Sequence, residues 1–171
     1  MNLEKISIEP FSEEKHLRLI PELTELIHEA YKPLADMGFR YTASYQPPET
    51  TLKRLNEGQG FLVYWDERLI GTISLFGPRE DNLCEYYRRD GVYYFGQFAV
   101  RPEFQGKGIA RALLDFVEEK AKLMGAKELA LDTAENATRL IDMYARHGFE
   151  KVSTTQWTAT NYRSVVMAKK L

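Results

Sequence analysis

One cysteine, three histidines and nearly cancelling charge leave little room for several classes of chemistry. Cys84 alone cannot close an intrachain disulfide or build a cysteine-based zinc site. His16, His28 and His147 share no ligand spacing, so each is expected to cap or to lie exposed, and no metal is expected. Lys and Arg number 23 against 25 Asp and Glu, and a net charge of −2 gives no reason to expect nucleic acid as a partner. No apolar run approaches a membrane span, and Met1-Asn2-Leu3-Glu4-Lys5 lacks the basic-then-apolar plan of a secretory leader. A cytoplasmic protein without a membrane partner is the expectation. Repeats, low-complexity tracts and linkers are missing too, so residues 1–171 are expected to form one domain with a sizeable core.

What is present reads as alternating strands and helices. Ile6-Ser7-Ile8, within Leu3–Phe11, alternates like a first strand. Ser12 is placed to cap a helix with Leu17, Ile20, Leu23, Ile27 and Tyr31 on one stripe, restarted at Pro21 and ended by Pro33. A short helix over Thr50–Glu57 follows the Pro47-Pro48 pair, then strands Phe61–Trp65 and Leu69–Phe76 flank an Asp66-Glu67-Arg68 turn. After the polar stretch Gly77–Gly91 come a strand ending at Val100, a helix from Gly106 to Met124 and a strand over Glu128–Asp132. A helix over Asn136–Arg146 precedes final strands at Phe149–Thr154 and Ser164–Lys169. The order β-α-α-β-β-β-α-β-α-β-β specifies an α/β protein, a mixed sheet with helices on both faces.

The most informative segment is Gln105-Gly106-Lys107-Gly108-Ile109-Ala110, between the strand Tyr93–Val100 and a helix with Leu113, Leu114, Val117 and Ala121 at helical spacing. A glycine turn opening a helix presents unpaired N–H groups and the positive dipole end to an anion. Arg101, Lys107 and Arg111 face only Glu103 in this stretch, which suits a small polyanion. A P-loop is excluded because no Ser or Thr follows Gly108, and a dinucleotide fingerprint because Arg111 takes the place of its third glycine.

Gln-x-x-Gly-x-Ala after a strand and Val-Arg-Pro, with Tyr144-Ala145-Arg146-His147-Gly148-Phe149 downstream, resembles the Gcn5-related N-acetyltransferase (GNAT) family. Motif-level likeness covers Val92–Val152, and the element order fits nearly the whole chain. The resemblance implies a mostly antiparallel sheet of about seven strands, the acyl-CoA N-acyltransferase fold, and acetyl-CoA as donor. By that resemblance the N–H groups of Gln105, Gly106, Lys107, Gly108, Ile109 and Ala110 hold the pyrophosphate. Phe98, Ala99 and Val100 pair with the pantetheine, with the N–H near Val100 toward the thioester oxygen. Tyr144 is implied as the acid that protonates the leaving thiolate, the alternative being packing beside Leu140, Ile141 and Phe149.

Two features depart from the family pattern. Relatives often carry a glutamate on the strand before the turn, where this chain has Tyr93, Tyr94, Phe95, Gly96, Gln97 and Phe98; a water relay ordered by Tyr93 or Tyr94 is the expectation. Relatives also carry an asparagine seven residues before the tyrosine that contacts CoA. Here Asn136 stands eight before, with Ala137 in its place, so Asn136 is either a cofactor contact or the helix cap. Tyr41, Tyr45, Tyr86, Tyr87, Trp157 and Tyr162 cluster in loops and either line the acceptor pocket or pack on the surface. Cys84, lacking an identifiable base, is not expected to be a nucleophile. The implied reaction is direct acetyl transfer to a primary amine of a small molecule or peptide. Transfer from another acyl-CoA and a non-catalytic CoA-binding role are the alternatives. Dimerisation through the C-terminal strands is a further expectation from the resemblance.

Overall fold

In the computed structural model, which describes residues 5–171, alternation at the N-terminus becomes strand β1, Ile6–Pro10. The Leu3–Glu4 part of the first stretch, and the leader reading of Met1–Glu4, lie outside the described residues. Ser12 takes the extended cap conformation before α1, Glu13–His16, yet its hydroxyl makes no cap bond. His16 closes the turn instead, its Nδ1 accepting the Ser12 N–H at 3.0 Å. After a 3-10 turn over Leu17–Leu19, Pro21 opens α2, Ile20–Asp36. Pro33 does not end this helix: it removes one backbone donor in the last turns, too near the C-terminus to break the remaining ladder. Likewise α3 spans Pro48–Glu57 rather than starting at Thr50, because proline is tolerated at the first helical position.

Strands β2 (Gln59–Trp65) and β3 (Arg68–Phe76) form the expected hairpin; Trp65 pairs with Arg68 around a two-residue turn whose Asp66 has φ 51°. Strand β4, Val92–Val100, leads through a 3-10 turn at Pro102–Phe104 to α4, Ile109–Leu123. This helix starts three residues later than expected because Gly106 (φ 70°) and Gly108 (φ 86°) are left-handed, and Met124 lies beyond its end, half exposed. Strand β5, Glu128–Ala134, precedes α5, Thr138–Arg146, and β6 (Glu150–Thr155) and β7 (Ser164–Lys170) complete the chain. Asn136 is not the cap of α5. The N-cap is Ala137, buried and bonded through its own N–H to Ala134 O at 2.9 Å, so a backbone turn does the work of a side-chain cap.

The sheet order is β1-β2-β3-β4-β5-β7-β6, antiparallel except for β4 with β5. Strand periodicity sends neighbouring residues to opposite faces. Phe61 and Val63 pack with Leu113 and Val117 of α4 and Ile141 of α5, whereas Leu62 and Tyr64 pack with Leu23 and Ile27 of α2 and Leu55 of α3. Helices therefore cover both faces, as the element order requires.

Candidate active site

The glycine turn joins the end of β4 to the start of α4. Gln105 anchors it to the strand end through Nε2 donating to Val100 O at 2.9 Å. The N–H groups of Gly106, Lys107 and Gly108 donate to no backbone acceptor among the described residues, and the first helical bond runs from Ala112 N–H to Gly108 O. A Cβ added at Gly106 would meet nothing within 4 Å, so its glycine answers to the left-handed backbone and not to crowding. Gln105, Gly106 and Ala110 border a cavity of about 820 Å³, whereas the Ile109 side chain is buried in the core. Lys107 turns its ammonium back to Glu103 O and over the Phe104 ring.

That cavity exists because β4 and β5 part company. They pair over only Val92–Tyr94 against Glu128–Ala130, and beyond that point β4 has β3 alone as a partner. The remaining edge, Phe95–Val100, faces the opening, as strand addition by an extended ligand requires. Pairing of β4 with β3 shifts between Thr72 and Ser74, and opposite this shift Gln97 adopts φ 48°, a bulge in a non-glycine residue. The bulge frees Phe98 O for the Tyr31 phenol, 3.1 Å away. Phe98 and Val100 line the cavity with Ala99 between them.

Tyr144 reaches the same space from α5. Its ring packs against Phe95 and Phe149, with centroids 6.0 and 6.1 Å away, so the packing alternative is realised for the ring. The phenol oxygen makes no hydrogen bond among the described residues, unlike the paired phenols of Tyr31, Tyr41, Tyr87 and Tyr94. Burial, and then the neighbouring charges of Tyr31, Tyr41 and Asp132, holds it well above the ordinary phenol range. Tyr144 is thus a neutral donor at any ordinary pH.

Among the loop aromatics, Tyr41, Tyr87, Trp157 and Tyr162 line the cavity. Tyr87 stacks on Tyr94 at 4.0 Å, and Tyr94 on Phe76 at 5.0 Å, giving an aromatic wall. Tyr45 and Tyr86 do not join it: Tyr45 bonds Ala159 O beneath Arg40, and Tyr86 bonds Glu128 beside Arg89. Tyr93 also points elsewhere, its phenol 3.2 Å from Met124 O. Asn136 is exposed and outside the lining, and burial pushes the Cys84 thiol up, as befits a packed side chain.

Two charged residues at the heart of the cavity escaped the sequence reading. Asp132 accepts the Tyr87 phenol at 3.0 Å and the Trp157 indole N–H at 2.7 Å. Its signal was an acid at the carboxyl end of a buried strand in the parallel pair, where open sheets bind ligands. Arg54 sits on the face of α3 shared with buried Thr51 and Leu55, a rare place for a cation. Burial pulls its guanidinium below the ordinary range, against the opposing influence of Tyr31 and Asp132.

Comparison with known proteins agrees with this geometry. The sequence profile of the Acetyltransferase (GNAT) family matches residues 20–149. The chain is 32% identical over 152 residues to the S-(2-succino)cysteine N-acetyltransferase of Bacillus subtilis, covering 88% of this chain and 89% of that one. It is 29% identical over 132 residues to the S-alkylcysteine N-acetyltransferase of the same organism, covering 75% and 72%. The fold matches a GNAT family acetyltransferase from Elizabethkingia anophelis, solved with acetyl-CoA bound, at a TM-score of 0.68 and 19% identity over 98% of this chain and 99% of that one. With a family profile spanning most of its length and a relative above 30% identity, this chain belongs to the GNAT family of acetyltransferases.

Proposed function

We propose that the protein transfers the acetyl group of acetyl-CoA to the amine of a small amino acid of the S-substituted cysteine type, in a ternary complex. The observation that carries the reading is the convergence on one cavity of the open Gln105–Ala110 turn, the unpaired Tyr144 phenol and the Asp132 carboxylate. Two similar proteins named for acetylating cysteine S-derivatives support the acceptor class. An aromatic wall of Phe76, Tyr94 and Tyr87 suits an apolar S-substituent.

In this reading the neutral amine attacks the thioester carbonyl carbon, forming the C–N bond as charge moves to the oxygen facing the β4 edge near Val100. The nitrogen of that adduct is strongly acidic and gives its proton to Asp132. The C–S bond then breaks, and the departing thiolate is stabilised by a hydrogen bond from the Tyr144 phenol, which keeps its proton. The catalytic residues are thus Tyr144 and Asp132, and the donor is held by Phe98–Val100 and Gln105–Ala110.

Thiol release from acetyl-CoA, measured across S-(2-succino)cysteine, S-benzylcysteine, S-methylcysteine, a lysine peptide and an aminoglycoside, tests the proposal. Acceptor-dependent release with the cysteine derivatives and mass-confirmed N-acetylation are expected. No release with any of them, or release with the peptide alone, refutes it.

A further inference from the structure

Arg54 is a cation lining the cavity without a carboxylate to answer it. Among the described residues no Asp or Glu oxygen lies within 4.0 Å of its guanidinium, although 11 other Lys, Arg or His side chains form such pairs. Its one hydrogen bond runs from Nη1 to Gln46 Oε1 at 2.9 Å. Nη2 lies beneath Gly96, 3.3 Å from where a Cβ would stand, so the missing side chain keeps the guanidinium open to the cavity. Glu57 and Asp132 line the same cavity and act on the guanidinium from beyond ion-pair distance, and Asp132 already accepts bonds at both oxygens, from Tyr87 and Trp157. Arg139 also borders the cavity but is exposed on α5, where water answers its charge.

The guanidinium is held in place from behind. Gln46 and Gln97 are fully buried, with the Gln46 Nε2 donating to Gln97 Oε1 at 3.0 Å and to Thr51 Oγ1 at 2.7 Å. With its amide nitrogen so committed, Gln46 can only present its oxygen to Arg54. The Thr24 and Thr51 hydroxyls, 2.8 Å apart, extend this network to α2, and His28 Nε2 fixes the Gln46 carbonyl at 2.9 Å. A network of this depth holds a cation with free donors and no directly paired carboxylate in position for an anion.

We infer that Arg54 binds a carboxylate of the acceptor, so that the enzyme selects amines that carry an acid group. The inference rests on the acetyl-transfer reading above and adds the residue that reads the acceptor's charge. Guanidinium and carboxylate suit one another because two parallel N–H groups, of the four left on Arg54, can meet two oxygens. A site built to bond an anion rejects the analogue lacking it, because its donors are then left buried and unanswered.

The test compares S-benzylcysteine with S-benzylcysteamine, which keeps the amine and the sulfur substituent and lacks the carboxylate. The wild type is expected to favour the acid by about tenfold to a hundredfold in kcat/KM. In Arg54→Gln the KM for the acid rises by a similar factor with kcat nearly unchanged. The amine without a carboxylate and the KM for acetyl-CoA stay as they were. Arg54→Lys restores part of the preference. Equal losses for acid and decarboxylated amine, or no loss for either, overturn the inference. Calorimetric titration of S-(2-succino)cysteine separates this from the activity itself. Binding that Arg54→Gln abolishes sustains the carboxylate site even where no turnover occurs, and absence of binding to the wild type overturns it.

Discussion

Replacing Tyr144 by Phe removes one oxygen from a ring whose packing is otherwise complete. The ring keeps Phe95 and Phe149, and no partner is orphaned because the phenol has none among the described residues. Stability is therefore expected to change by less than about 0.5 kcal/mol, within about 2 °C in melting temperature. The effect on rate is larger. Burial holds the phenol well above 10, whereas a thiol ordinarily titrates near 8.5, so complete proton transfer runs uphill and the hydrogen bond to the thiolate is the main contribution. A hydrogen bond to a charged group contributes about 1.5–3 kcal/mol, which is about tenfold to a hundredfold in kcat. The sign of the pH effect follows: a raised pKa keeps the donor protonated through pH 10, so no falling limb below that pH comes from Tyr144. Rates of thiol release at saturating acceptor and donor, from pH 6 to 10, measure both. An acyl donor with a more acidic thiol should narrow the gap between variant and wild type. An unchanged kcat, or a fall accompanied by lost stability, refutes the assignment.

Asp132→Asn is expected to lower kcat/KM by about a hundredfold or more while leaving acetyl-CoA affinity intact, because the amide keeps Tyr87 and Trp157 in place but accepts no proton; titration of acetyl-CoA alongside turnover checks this. Gly106→Ala forces a Cβ onto φ 70° at about 1–2 kcal/mol and should raise the KM for acetyl-CoA several-fold. Gly125→Ala, equally left-handed at φ 84° and equally uncrowded, should lose similar stability without moving that KM.

Local chemistry decided what could be read in advance. The hairpin at Asp66, the strand Val92–Val100 and the turn with Gly106 and Gly108 were legible because period and glycine placement act over a few residues. The Pro33 and Asn136 readings failed for a shared reason: both assumed that a breaker or capper acts where it stands. In the fold a nearly finished helix tolerates Pro33, and the Ala134–Ala137 backbone turn supersedes Asn136. Asp132 and Arg54 were hidden more deeply. They lie 78 positions apart, and their meaning depends on the parting of β4 from β5, which no short window contains. Gln46 and Gln97, 51 residues apart, join only once the segment before α3 is brought up to β4.

The three-residue parallel pairing between β4 and β5 divides the sheet into two leaves. Strands β1 to β4 hydrogen-bond among themselves, as do β5 to β7. Apolar contacts span the gap, Phe95 against Phe149 and Tyr144 with Leu113 and Val117 beneath both leaves. Hydrogen bonds cross it from the Tyr87 phenol to Asp132 and from the Ala134 N–H to the Tyr41 oxygen. The width of the cleft is consequently set by side chains rather than by a backbone ladder, like a book bound along a short stretch of spine and held at its open edge by a few clasps.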